Sequence, residues 1–242
     1  MTGREEMLGR IRMALGHSPD NRGLVPEEFA RAPEDLAGVM PPLPPEEWLT
    51  KFEAEWAKVS GTAHRAVNLP ELETVLQKIL SGCEAKSVVF SANPLLATLK
   101  LAERVKAWGT AVSACPASGS AAPEEAKFRQ DCFAATLGIT GVDFVLAETG
   151  SLALSSATEG SQLASLAPPV HVALYRRKQL VGSLDDLLEK VSNPAGSSVL
   201  AAGRSIVFIT GTSRTADIEQ ILIRGVHGPR EVHAILVEDS CL

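Results

Sequence analysis

From residue 46 onward the chain alternates between two apolar rhythms. Trp48, Phe52, Trp56 and Val59 recur at helical spacing over residues 46–58 and Gly61 stops the run, which predicts a helix with one buried face. Residues 64–67 then read as a short strand, 69–80 as a helix, 87–90 as a strand and 95–108 as a helix. A strand at 110–114, a loop rich in Ala, Ser and Gly, and a helix from Pro123 to about Ala135 continue the pattern. Alternation of this kind predicts an α/β fold, a three-layer α/β/α arrangement with helices on both faces of a mostly parallel sheet.

Residues 140–156 break the rhythm, because two apolar runs follow one another with only Glu148, Thr149, Gly150 and Ser151 between them. So close a return predicts a hairpin, and with it some antiparallel pairing in a mixed sheet. A strand at 170–175 and a helix at 184–191 come next. The segment from Arg204 to Val237 closes the domain: an apolar run at 205–210, the small polar loop Gly211-Thr212-Ser213-Arg214-Thr215, and Ile218, Ile221 and Leu222 at i, i+3 and i+4. That spacing predicts a helix ending at Arg224 and Gly225. The rigid turn His227-Gly228-Pro229 leads into a last strand of the same sheet. No internal repeat is present.

Ahead of this domain, Met7, Leu8, Ile11 and Leu15 line one face of a short amphipathic helix, and seven of the chain's fifteen prolines fall between Gly16 and Glu46. The proline-rich stretch is either an extended linker or an arm that wraps a partner. The expected division is therefore 1–45 for helix and arm and 46–242 for the α/β domain.

Composition narrows the partners. Of the 242 residues only 5% are aromatic, and the formal charge is −6, so neither nucleic acid nor an anionic membrane is the expected partner. The N-terminus lacks the apolar core of a secretory signal and no run is long enough to span a bilayer, which leaves the cytoplasm as the expected location. Cys83, Cys115, Cys132 and Cys241 are scattered without a C-x-x-C pair, so free thiols are expected, with no cofactor in this chain.

Three groups of residues carry candidate chemistry. Glu148 ends an apolar strand beside Gly150, where a missing side chain admits a ligand or another backbone, so its carboxylate is either a general base or nucleophile or a solvated turn acid. The loop Gly211 to Asp217 offers hydroxyls and backbone amides to a carboxylate or phosphate at a helix N-terminus, beyond the carboxyl end of a strand. Asp217 already satisfies the helix dipole there and repels an anion, and Thr215 serves equally well as the helix N-cap. His227, Glu231 and His233 are metal-ligating types, but only Glu231 and His233 share a strand face, so no metal site is predicted.

The segments Ile139-Thr140-Gly141-Val142-Asp143, Ala147-Glu148-Thr149-Gly150-Ser151, Gly211 to Glu219 and Gly225-Val226-His227-Gly228-Pro229, in this order and spacing, resemble the LUD domain family over roughly residues 46–238. The resemblance implies a fold related to the glucosamine-phosphate isomerase, ribose-phosphate isomerase and CoA-transferase group. It also implies cytoplasmic oxidation of L-lactate to pyruvate, with iron–sulfur clusters carried by partner subunits. On that basis the expected site gathers Glu148, Thr149, Gly150 and Ser151 with Gly211, Thr212, Ser213, Thr215, Asp217, His227 and Gly228 around a small carboxylate or a partner loop. A different class of function also stands: a stand-alone isomerase or acyl-transfer enzyme in which Glu148 is base or nucleophile.

Overall fold

The computed structural model describes residues 7–8, 43–117, 119–192, 205–216, 222–224 and 228–242. The chain divides into two compact units, Met1–Pro42 and Leu43–Leu242. In the second unit a six-stranded, wholly parallel sheet is built from β1 (Thr62–Ala66), β2 (Ser87–Phe90), β3 (Ala111–Ala114), β4 (Leu137–Thr140), β7 (Val170–Tyr175) and β12 (Glu231–Val237). Its spatial order is β1-β12-β7-β4-β2-β3. A second, four-stranded sheet joins β5 (Phe144–Leu146), β6 (Ser151–Ser155), β8 (Leu180–Val181) and β9 (Ile206–Ile209) in the order β8-β5-β6-β9.

The helices are α1 (Trp48–Lys58), α2 (Leu69–Gly82), α3 (Pro94–Thr98), α4 (Leu101–Ala107), α5 (Ala122–Ala134), α6 (Ser156–Glu159), α7 (Leu163–Leu166) and α8 (Leu184–Ser192). Strand alternation sorts the core to either side of the main sheet. Ile235 and Val237 meet Leu72 and Leu76 of α2, Leu96 of α3, and Leu101 and Val105 of α4. Val232, Ala234 and Leu236 on the opposite face meet Phe52 and Trp56 of α1 together with Leu152, Leu154 and Ile209 of the second sheet. Phe52 and Trp56 are fully buried, each contributing about 1.5–3 kcal/mol of apolar transfer, and Phe52 packs edge-on to Tyr175 at 5.5 Å.

The α/β class and its parallel sheet agree with the pattern of the sequence, and four local features differ. The hairpin exists, with Phe144↔Ala153 and Leu146↔Ser151 paired antiparallel, but it belongs to the second sheet. The strand expected to extend the main sheet at 205–210 also lies there, antiparallel to β6. The predicted helix at 95–108 is two helices, broken where Lys100 takes a left-handed φ of 51°. Finally, where a helix is expected after Thr215 and up to Arg224, the described residues are extended: β10 (Arg214–Ala216) and β11 (Leu222–Arg224) pair antiparallel, Thr215 opposite Ile223. Three apolar residues at i, i+3 and i+4 are too few to fix a period, and the β-branched Thr215 and Ile223 favour extended backbone. Asp217 and His227 lie outside the described residues.

Candidate functional site

Thr215 lies within β10 and not at a helix cap, and among the described residues no helix N-terminus follows the Gly211 loop to take an anion. What the loop does have is a firm seat. Gly211 holds φ at 80°, and a side chain there would stand 2.1 Å from the Val59 carbonyl oxygen. Thr212 N–H donates to that carbonyl at 3.3 Å, Ser213 N–H donates to Pro229 at 2.9 Å, and a Cβ on Gly228 would touch the Ser213 Cβ at 3.2 Å. Val59 lies in the turn that leads into β1 at Thr62, and Pro229 lies just ahead of β12 at Glu231. The loop therefore covers the amino ends of these parallel strands, opposite to the end where an open α/β sheet usually takes ligands.

The hairpin turn is joined to it. Thr149 Oγ1 donates to Ser151 Oγ at 2.8 Å, and Ser151 Oγ lies 2.7 Å from Thr210 Oγ1, one residue before Gly211. Gly150, with φ at 61°, rests on α1, where a Cβ would be 2.5 Å from the backbone nitrogen of Trp56. The backbone that Gly150 admits is thus that of α1. Glu148 is half-buried and anchored through its own N–H to Gly182 O at 2.9 Å. Among the described residues its carboxylate makes no hydrogen bond to the Gly211 loop. The structure brings together Thr149, Ser151, Thr210 and, beyond them, Ser213 with Gly228. Two buried polar atoms at this edge, Thr212 Oγ1 and Trp56 Nε1, have no hydrogen-bond partner among the described residues.

A second cluster, not anticipated from the sequence, occupies the other end of the sheet. From β2 the chain proceeds outward to β3, whereas from β4 it proceeds the opposite way to β7, so the crevice between the carboxyl ends of β2 and β4 is the topological switch point. Glu159, fully buried at the end of α6, fills that crevice. Ser91 Oγ and Asn93 Nδ2 each donate to its carboxylate at 2.5 Å and Gly141 N–H donates at 3.2 Å. Asn93 is oriented by its role as cap of α3, its Oδ1 accepting from Leu95 N–H at 3.0 Å. Burial pushes the Glu159 carboxyl up to about 7 against the pull of the Ser91 and Asn93 donors, with nearby Asp143 adding to the rise. Asp143 is itself raised by burial, although Ser155 N–H and Thr158 Oγ1 donate to it.

Such a carboxyl can gain or lose a proton near neutral pH without leaving its cage. The sequence signal for it is slight: Ser91-Ala92-Asn93-Pro94 directly after an apolar strand marks a polar strand end with a helix cap, but nothing nearby points to Glu159, 66 residues beyond Asn93. Next to this cluster Thr140 Oγ1 sits 2.8 Å from His171 Nε2, and complete burial pushes that imidazole down to about 3, so it stays neutral.

The fold and these clusters define an α/β protein whose sequence motifs frame a second sheet laid over a parallel one. The LUD domain model matches residues 49–237, and the chain belongs to the LUD domain family. It is 26% identical over 98% of both chains to the lactate utilization protein C of Halalkalibacterium halodurans, and 24% identical to that of Oceanobacillus iheyensis over 97% of this chain and 98% of the other. Its fold is similar to the crystal structure of a DUF162 family protein from Deinococcus radiodurans, with a TM-score of 0.55, 24% identity, and coverage of 81% of this chain and 99% of that one.

Proposed function

We propose that this chain is a non-redox subunit of a cytoplasmic L-lactate utilisation system, in which lactate is oxidised to pyruvate and the two electrons pass to iron–sulfur partner subunits. The end-to-end match to proteins named lactate utilization protein C carries this reading. The thiols support it. The four cysteines are scattered along the chain without a C-x-x-C pair, which is not the spacing that holds a cluster. Electron carriers in this reading belong to the partners.

The small carboxylate, or a loop of a partner, is taken at the hydroxyl-rich edge formed by Thr149, Ser151, Thr210 and Ser213. Among the described residues no helix is long and apolar enough to cross a membrane. The test is reconstitution of the lactate-oxidising complex with and without this chain, followed by lactate-dependent dye reduction. Reduction is expected only when the chain is present; full activity in its absence refutes the proposal.

A further inference from the structure

Between the edge strand β1 and its neighbour β12, two imidazoles face each other away from both clusters described above. His64 Nε2 and His233 Nδ1 are 3.1 Å apart, and the far nitrogen of His233, Nε2, lies 3.1 Å from Glu231 Oε1. The register explains the meeting. Thr62 is opposite His233, so His64, two residues on, points from the same face of the sheet and reaches diagonally across the pair. His233 is buried, His64 is half-buried and Glu231 is exposed, which leaves the pair open to solvent along one side.

We propose that His64 and His233 bind a borderline transition-metal cation, Zn²⁺ being the type, through His64 Nε2 and His233 Nδ1. Two nitrogens on one tetrahedral zinc, each at about 2.0–2.1 Å, are separated by roughly 3.4 Å, within a few tenths of an ångström of the spacing already present. Glu231 occupies the position that an outer carboxylate takes behind a metal-bound histidine. By accepting from Nε2–H it fixes the tautomer of His233 and leaves the Nδ1 lone pair directed at His64. In the metal-free protein His64 fills this gap by donating its Nε2–H to His233 Nδ1. On binding, that proton sits instead on His64 Nδ1, the metal replaces the shared hydrogen, and no group is oxidised or reduced.

Imidazole suits zinc, copper and nickel. Lys78 on α2 opposes a bound cation, and the Glu231 charge offsets it. Among the described residues no third His, Cys, Asp or Glu joins the pair, so the remaining positions fall to water. Such a site is open and exchangeable.

The test uses the untagged full-length chain, stripped with chelator and titrated with ZnCl₂ by calorimetry, alongside ¹⁵N spectra of the histidine rings. One equivalent is expected to bind, with His64 passing from the Nε2–H to the Nδ1–H form. His64→Ala and His233→Ala each abolish that binding, and Glu231→Gln, at an exposed position that leaves the fold intact, weakens it about 10- to 100-fold. Absence of uptake in excess Zn²⁺, uptake unchanged by His64→Ala, or Glu231→Gln binding as tightly as the parent overturns the proposal. None of these outcomes depends on the lactate reading.

Discussion

Glu159→Gln asks whether a carboxyl held in the switch-point crevice makes the stability of this fold depend on pH. The folded-state value is about 7 against an ordinary 4.5, a rise caused first by burial. A carboxyl raised on folding binds its proton more tightly in the native state, so its contribution to stability is full below about 4.5 and declines until pH exceeds about 7. With one pKa unit equal to 1.36 kcal/mol, the whole window spans about 3 kcal/mol, most of it between pH 5 and pH 8. The amide of Gln cannot titrate. It also turns one NH₂ toward donors at Ser91, Asn93 or Gly141, at a pH-independent cost of about 1–3 kcal/mol. The comparison is therefore one of slopes. Urea unfolding of both proteins at pH 5, 6, 7 and 8 is expected to show the parent losing about 2–3 kcal/mol more than the variant across that range. Groups remote from the crevice titrate alike in both proteins and cancel in the difference. Parallel curves, or a parent that gains stability on the variant as pH rises, would falsify the assignment, because the three donors would then outweigh burial.

Other substitutions test the remaining parts of the structure. Gly150→Ala places a Cβ 2.5 Å from the Trp56 nitrogen at a φ of 61°, and a loss of about 2 kcal/mol or more in urea unfolding is expected; a neutral result contradicts the close seating of the hairpin on α1. Phe52→Ala empties a fully buried site against Trp56 and Tyr175 and is expected to cost about 3–5 kcal/mol, read from the same unfolding midpoint. Glu148→Gln separates the subunit from a stand-alone isomerase or acyl-transfer enzyme. The isolated chain is expected to show no turnover with sugar-phosphate or acyl-CoA substrates before or after the change, whereas turnover that falls by about 100-fold or more on substitution points to the enzyme.

The difference between what the sequence made legible and what it concealed is a difference between local and distant causes. Strands at 87–90, 170–175 and 231–237 coincide with β2, β7 and β12, because three to five apolar residues within a run of four to seven, bounded by polar or turn residues, leave few alternatives. The helix ending at Lys58 was readable from the spacing of Phe52 and Trp56 for the same reason. Strand β4 was hidden: Gly138 interrupts a run of only four residues, and the short apolar stretch merges with the hairpin that follows. Its place inside the sheet comes from pairing with β2 and β7, whose register partners lie 49 and 33 positions away, and no local pattern records that.

The same limit governs the sites. Thr149, Ser151, Gly211 and Ser213 stand out in the sequence as glycine-rich polar turns, and the structure does join them through Ser151 and Thr210. Which end of the sheet they occupy could not be read, because that depends on the second sheet carrying β9 away from the first. Glu159 could not be found at all by spacing, since its partners are contributed by the ends of β2 and β4. His64 and His233, 169 positions apart, meet only because β1 and β12 are neighbours in register. In a fold whose first strand pairs with its last, residues from the two ends of the domain become neighbours, and chemistry that depends on such pairs is set by topology before it is set by motif.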